Sequence, residues 1–341
     1  MSNIDERVKR YFEVLEPEFP EWLNEYINTD TMQRLKYITV GNGKNYSKMF
    51  KNEKIHDSLN HSIGVALIVW HFTHDKKQTL SGLFHDISTP VFKHSIDFMH
   101  GDYMKQESTE DLTTKMIEDS VEIMRLLKRD NIKISEVCDY HIYPIADNDT
   151  PQLSSDRLEY TFSNGYFVFE DMTLGKIKEI YNDLEVQTNE YGVDEIGFKT
   201  KQVAEEFVKI TSNYSIRYRN PENRYSMQLT ADIVKLMNEK GLITIEDLYK
   251  LKETEVVDLI KKCTYKDINK KYEIWQNSEN LHISKEEPKG VYYVHHGAKI
   301  RYINPLCNGI RINKISPYSK KLIDDNLNYD MNQYMYLDFE L

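Results

Sequence analysis

Cysteine is scarce in this chain of 341 residues: Cys138, Cys263 and Cys307 stand far apart, with no Cys-x-x-Cys pair. That argues against a disulfide framework and a thiolate zinc site, and leaves free thiols in a reducing compartment as the reading. Long apolar runs are also missing. The longest, Val65 to Trp70, is far too short to span a bilayer. The N-terminal MSNIDERVKRYFEVLEPEF has no apolar signal core. We therefore expect a cytoplasmic protein that does not enter a membrane. Positive charge is in deficit, with 44 Lys and Arg against 55 Asp and Glu and a net charge of −11. This argues against a general nucleic-acid binder while leaving room for a local basic pocket. Repeats and low-complexity linkers are absent. An apolar share of 40% with 29% charged residues describes a globular chain, long enough for a large core and a second domain.

What the chain does have is helical periodicity. Val8, Phe12 and Leu15 share a face before Pro17 and Pro20 stop the helix. A short helix is expected over 22–26, and Thr29, Asp30 or Thr31 caps MQRLKYI. Gly41-Asn42-Gly43 lies in a loop, too short and isolated for a phosphate cradle. Asp57 is a good N-cap for a helix to about His74, with His61, Val65, Ile68 and Phe72 on one stripe. The next helix covers 76–86 and is broken by Pro90. One long helix is expected over 108–128, burying Met116, Val121, Met124 and Leu127, then a shorter one over 132–143. A helix starts at Ser154 or Ser155; others cover 174–186 and 200–218, another runs from Pro221 through Met237, and two short ones fall within 243–262. From Lys289 the texture changes. VYYVHHGAKIRYINPL is β-branched and aromatic and alternates around Gly297, which predicts a hairpin or small sheet. The expected class is mainly α: a helical domain over 1–275, with a small α+β segment over 276–341 packed on it.

Histidine is concentrated. Seven of the 11 fall between His56 and His100. His61 sits on one helix, and His85 and Asp86 sit at the end of the next. Neighbouring helical side chains point about 100° apart; differing reach still lets a His and an Asp converge on one ion. Imidazole and carboxylate suit divalent metals such as Zn, Fe, Ni or Mn. Three ligands leave a gap for a second carboxylate from a later helix. His56, His71, His74 and His100 read as surface or packing residues. His295 and His296, adjacent in a strand, point to opposite faces.

The order H…HD…D resembles the HD superfamily of metal-dependent phosphohydrolases. QRLKYI (Gln33 to Ile38), NHSIGV (Asn60 to Val65), LFHDIS-TPVFKHSID (Leu83 to Asp97) and SDRLEY (Ser155 to Tyr160) are similar to the deoxynucleoside triphosphate triphosphohydrolase branch. The resemblance is strong over 30–165, looser to about 275, and INPLC near Ile303 is similar to the C-terminal segment of bacterial members. It implies an HD-domain helical bundle and a divalent metal (Fe, Mn, Ni, Zn or Mg) held by His61, His85, Asp86 and Asp156. It implies His94 near the scissile phosphate, Asp97 orienting it, Glu107 as a carboxylate in the catalytic pocket and Tyr160 near the sugar. A nucleotide as substrate and assembly into homo-oligomers are implied as well. Read from residue types alone, His94 and Asp97 also suit a structural pair, Glu107 a first-turn acid, and Tyr160 a core aromatic. Three positions depart from the branch: Ser58 where an Arg is common, Thr89 where a second His is frequent, and Gln106 where a His precedes the pocket Glu. Lys93, Lys105, Arg157, Arg217 and Arg219 are the candidate substitutes for the lost charge. Two other expectations stand beside the triphosphohydrolase: a phosphodiesterase or phosphomonoesterase on a smaller nucleotide, and a regulatory metal-binding module with little turnover.

Overall fold

In the computed structural model, which describes residues 5–99, 101–104 and 112–340, helix α1 (Glu6–Leu15) opens the chain. The Asp5 carboxylate accepts from the Arg7 amide, and Val8, Tyr11, Phe12 and Leu15 face the core. Short helices α2 (Leu23–Ile27) and α3 (Asp30–Gln33) and a 3-10 turn at Arg34–Tyr37 lead to Ile38. There the chain runs beside the start of α4 (Ser58–Thr73): the Val40 amide donates to His56 O and the Ser58 amide to Ile38 O. Asp57 caps α4 by accepting from the Asn60 amide at 2.8 Å. His74, left-handed at φ 47°, ends it.

The expected single apolar stripe on α4 is incomplete. From Ser58 to Val69, all but Asn60 are buried, so α4 is a central helix and not a surface one. Helix α5 (Lys76–Phe84) packs along it, and Gly82 permits the approach: a Cβ there would lie 3.2 Å from Val69 Cγ2. After α5 come His85, Asp86 and the turn to α6 (Ser95–Met99).

The expected long helix over 108–128 is instead, among the described residues, two helices: α7 (Thr113–Asp119) and α8 (Val121–Arg129). Ser120 adopts an extended backbone and its hydroxyl accepts from Ile123, restarting the helix. Val121 thereby becomes a first-turn residue, 82% exposed rather than buried. Over 132–143 there is no α-helix, only 3-10 turns at Ile134–Glu136 and Tyr140–Ile142. The Asp139 side chain accepts from the His141 amide and competes with a continuing helix. Ser154 caps α9 (Ser155–Ser163), which runs on as a π turn to Val168. Helix α10 (Leu174–Asn182) stops four residues short of the expected 186, because Leu184–Thr188 forms strand β1 against β2 (Asp194–Phe198). A tertiary partner overrides the helical pattern there.

Helices α11 (Lys201–Tyr218), α12 (Pro221–Glu239), α13 (Glu253–Lys262) and α14 (Lys266–Asn277) complete the helical part. The C-terminal segment holds β3 (His282–Ser284), β4 (Val291–Val294), β5 (Leu306–Cys307), β6 (Ile310–Arg311), α15 (Ile312–Ile315), α16 (Pro317–Leu327) and β7 (Tyr334–Glu340). The hairpin expected around Gly297 does not form. Strand β4 pairs with β7 in a sheet of order β3-β7-β4, residues 295–305 run without regular structure, and β5 joins β2 in a sheet of order β1-β2-β5-β6. The fold is mainly α with small α+β portions. Among the described residues, no helix is long and apolar enough to cross a membrane.

Two large apolar clusters result. One joins α1, α4, α5, α8 to α11 and Ile303, Cys307, Ile312 and Ile323. The other joins Ile38, Val91, Phe92 and Ile96 to α12, α13, α14, Val294, Met335 and Leu337. The segment after residue 276 thus contributes to both clusters, and the path between them passes through 295–305.

Glu253, at 1% exposure, ties α13 to the chain before α4: its carboxylate accepts from the Thr39 amide and hydroxyl at 3.0 Å each. Burial raises its pKa from 4.5 to about 7. The folded form therefore binds more protons than the unfolded one between these values, and this group's contribution falls as pH rises through them. The unfolding free energy of the parent minus that of Glu253→Gln is expected to fall, by at most on the order of 3 kcal/mol, between pH 4.5 and 7.5. Urea titrations across that range check it; a flat difference contradicts the assignment.

Candidate metal centre

Three helices of the first cluster, α4, α5 and α9, deliver the cluster of donors. His61 lies in the first turns of α4, His85 and Asp86 follow α5, and Asp156 is in the first turn of α9. One ligand atom each from His61, His85 and Asp86 lie within 4.8 Å of one another. The two Nε2 atoms are 3.2 Å apart. Asp156 Oδ1 is 3.2 Å from His61 Nε2 and 3.7 Å from His85 Nε2. Asp86 Oδ2 is 3.8 and 3.7 Å from the same two nitrogens.

The far side of each imidazole is committed. His85 Nδ1 is 2.8 Å from the Gly82 carbonyl, which can only accept, so Nδ1 carries the proton. His61 Nδ1 donates to the Glu159 carboxylate. Glu159 is fully buried and also accepts from Tyr11 Oη and Ser163 Oγ, both at 3.1 Å. With Nδ1 protonated on both rings, the neutral imidazoles turn their Nε2 lone pairs toward each other and toward two carboxylates. Such a convergence of acceptors is unfavourable unless a cation or added protons lie among them. Two nitrogens each about 2.1 Å from a common ion stand about 3.0–3.4 Å apart at octahedral or tetrahedral angles. His61, His85 and Asp86 therefore fit a divalent metal, whereas Asp156 approaches the two histidines but does not join that group of three.

The carboxylates of the cluster are ionised. Burial works against charge on His61, yet Glu159 and Asp156 raise its pKa to about 10, so a proton and a cation compete for its Nε2. Burial likewise opposes ionisation of Asp86, but Lys93 and the two histidines hold it well below the usual carboxylate range. Asp156 is lowered against burial by His61 and His85. The Lys93 ammonium donates to Asp86 at 2.5 Å. It is carried on a backbone where Phe92 and Lys93 both have positive φ, 67° and 42°. Non-glycine residues adopt that region at a cost, and packing must offset it. Phe92 is held against Gly43, itself at φ +80°, where a Cβ would come within 2.6 Å of the Phe92 ring.

His94 and Asp97 are brought together: Nδ1 is 3.0 Å from Asp97 Oδ2, and Asp97 is fully buried. Burial lowers the His94 pKa, and the nearby Arg301 acts in the same direction against the Asp97 carboxylate. Tyr160 lines the cavity that contains the four ligands and His94, a space of about 330 Å³. That is within the range of small-molecule pockets. Glu107, Gln106 and Lys105 lie outside the described residues. Ser58 is fully buried in α4, and the Thr89 carbonyl accepts from Arg34. Of the cations expected to replace lost charge, Lys93 and Arg157 line the cavity. Arg217 instead lies over the Phe169 ring, and Arg219 is buried against Asn326.

Sequence reasoning missed Glu159, Gly64 and His56. Glu159 follows Asp156 by three residues, one helical turn, so the spacing held a signal. Gly64 is three residues after His61, and a Cβ there would lie 2.6 Å from Glu159 Oε1. Only with that space open does Glu159 reach His61. Of the two readings of His56, packing holds: it is buried and stacks on Phe167 at 4.4 Å, and burial lowers its pKa to about 3; what the pattern did not show is that it also lines the cavity.

Glu159→Gln should lower metal affinity by about 10–100-fold, measured by competition with a chromogenic chelator. Gly64→Ala should act in the same direction and cost about 1–3 kcal/mol of stability. If Glu159→Gln holds metal as tightly as the parent, Glu159 does not orient His61 toward an ion.

No family model matches the chain. Over 288 residues it is 26% identical to a protein of Bacillus subtilis described as "Uncharacterized protein YdhJ", covering 83% of each chain. Over 212 residues it is 27% identical to a Mycoplasma genitalium protein described as "Uncharacterized protein MG461", covering 55% of this chain and 49% of that one. The matched region thus spans about half the length of the mycoplasma protein.

Proposed function

We propose that this protein is a metal-dependent phosphohydrolase of the HD type acting on a nucleotide, with deoxynucleoside triphosphates as the first substrates to test. One observation carries the reading: two imidazoles with their Nδ1 positions occupied converge with the Asp86 carboxylate in a cavity of ligand size, and the Asp156 carboxylate stands beside both rings. His61, His85, Asp86 and Asp156 would hold the divalent ion. When bound, the ion supplies Lewis acidity toward a phosphoryl oxygen and lowers the pKa of a coordinated water.

The remaining steps belong to the chain. Lys93 screens the carboxylates and holds Asp86 in place. His94, kept neutral by burial and oriented through Nδ1 by Asp97, would accept or relay a proton through Nε2, the nitrogen that Arg301 approaches at 3.5 Å. Tyr160 contributes an aromatic surface beside that position. The charge lining the cavity is mixed rather than purely basic, which suits a substrate whose phosphates are partly neutralised by the ion.

The test separates binding from turnover. Asp86→Ala and Asp156→Ala should each lose both metal and hydrolysis. His94→Ala should keep its metal and lose about 10²–10⁴-fold in rate. Metal analysis and product release over a nucleotide panel measure both. Inorganic triphosphate as product supports the triphosphohydrolase; orthophosphate or diester cleavage moves the substrate to a smaller nucleotide. Undiminished hydrolysis by Asp86→Ala defeats the proposal, and metal without product under any divalent ion leaves a binding module.

A further inference from the structure

The unstructured crossing at 295–305 does more than connect two clusters. Ala298 packs with Phe98 and Met227, and Ile303 belongs to the first cluster. Between them, Lys299, Ile300, Arg301 and Tyr302 line the cavity. Backbone hydrogen bonds fasten the crossing on both sides: the Lys299 amide donates to Tyr103 O at 3.0 Å, and the Asn304 amide to Pro151 O at 2.8 Å. A segment without helix or strand is thus held in one path across the wall that faces the ligands.

Arg301 is the residue this path aims at the site. Its guanidinium Nη2 is 3.5 Å from His94 Nε2, and its centre is 5.9 Å from the Tyr160 ring. His94 Nδ1 is engaged by Asp97, so the guanidinium approaches the nitrogen that faces the cavity. A planar fork of donors beside an aromatic ring and a neutral imidazole matches the oxygens of a phosphate chain better than a lysine does.

We infer that Arg301 is a specificity-determining residue that binds a phosphate next to the one attacked, so that the site prefers substrates with at least two linked phosphates. This rests on the phosphohydrolase reading. In it, the C-terminal crossing completes a site whose metal ligands all come from the first half of the chain.

The experiment uses the full chain as purified, with its metal content measured. Calorimetric titrations in excess magnesium compare pyrophosphate with orthophosphate for the parent, Arg301→Gln and Arg301→Lys. The parent should bind pyrophosphate at least about tenfold more tightly than orthophosphate. Arg301→Gln should weaken pyrophosphate by about 10–100-fold with metal content and melting temperature unchanged, and Arg301→Lys should recover part of the loss. With a nucleotide that turns over, Arg301→Gln should raise KM more than it lowers kcat. Equal pyrophosphate affinity for the parent and Arg301→Gln overturns the inference, as does a parent that binds no pyrophosphate. The two readings fail separately: hydrolysis with an unchanged KM in Arg301→Gln sinks only the arginine's role, whereas pyrophosphate binding without hydrolysis of any nucleotide sinks only the catalytic one.

Discussion

The contact between Glu159 and His61 is the constraint on which the rest of the site depends. A buried carboxylate accepts the hydrogen bond from the Nδ1–H of a buried imidazole and so fixes which nitrogen faces the cavity. Removing two charged or polar groups from water is costly unless each finds partners. Here Tyr11 and Ser163 satisfy the remaining oxygens of Glu159, and the cavity side of His61 meets Asp156. The ring cannot turn without leaving one of these groups buried and unpaired. The second histidine is pinned in the same way by the Gly82 carbonyl, so both Nε2 atoms are set before any ligand arrives.

The architecture follows from that requirement. Helix α4 is enclosed on nearly all sides, which is where a histidine can be held rigidly and where a carboxylate from α9 can reach it. Gly64 leaves the gap through which Glu159 enters, and Gly82 lets α5 approach closely enough to bring His85 and Asp86 to the same point. On the other side of the cavity, the left-handed backbone at Phe92 and Lys93 sets the ammonium on Asp86. The second apolar cluster supports this turn through Val91, Phe92 and Ile96. The cavity thus draws its walls from both clusters, and the C-terminal crossing supplies one of them.

Sequence patterns read the local events well. Asp57 at the N-cap, the end of α4 at His74 and the start of α9 at Ser155 were all readable, because capping chemistry is decided within a few residues. His61, His85 and Asp86 could be singled out because imidazole and carboxylate gathered on two successive helices are an unusual pattern, whereas Asp156 was named only by the family resemblance. Patterns failed where a distant partner decided the outcome. The helix expected to run to 186 stops at 182, because pairing with 194–198 makes 184–188 a strand. Alternation around Gly297 suggested a hairpin, but β4 found its partner some forty residues later in β7. Ser120 was hidden because one extended residue within a run of good helix formers leaves little trace in periodicity.

By itself, the sequence determined a mainly helical chain and the caps of its central helices, since these depend on side-chain chemistry and short-range spacing, and it made His61, His85 and Asp86 stand out as candidate donors. Only the tertiary structure decided which nitrogen of each imidazole faces inward, that Gly64 makes room for Glu159, that Arg217 is held by Phe169 and Glu53 and Arg219 by Asn326, and that Arg301 reaches the cavity. Those outcomes depend on distances between segments far apart in the chain, which packing and the pairing of buried polar groups set, and which no local pattern carries.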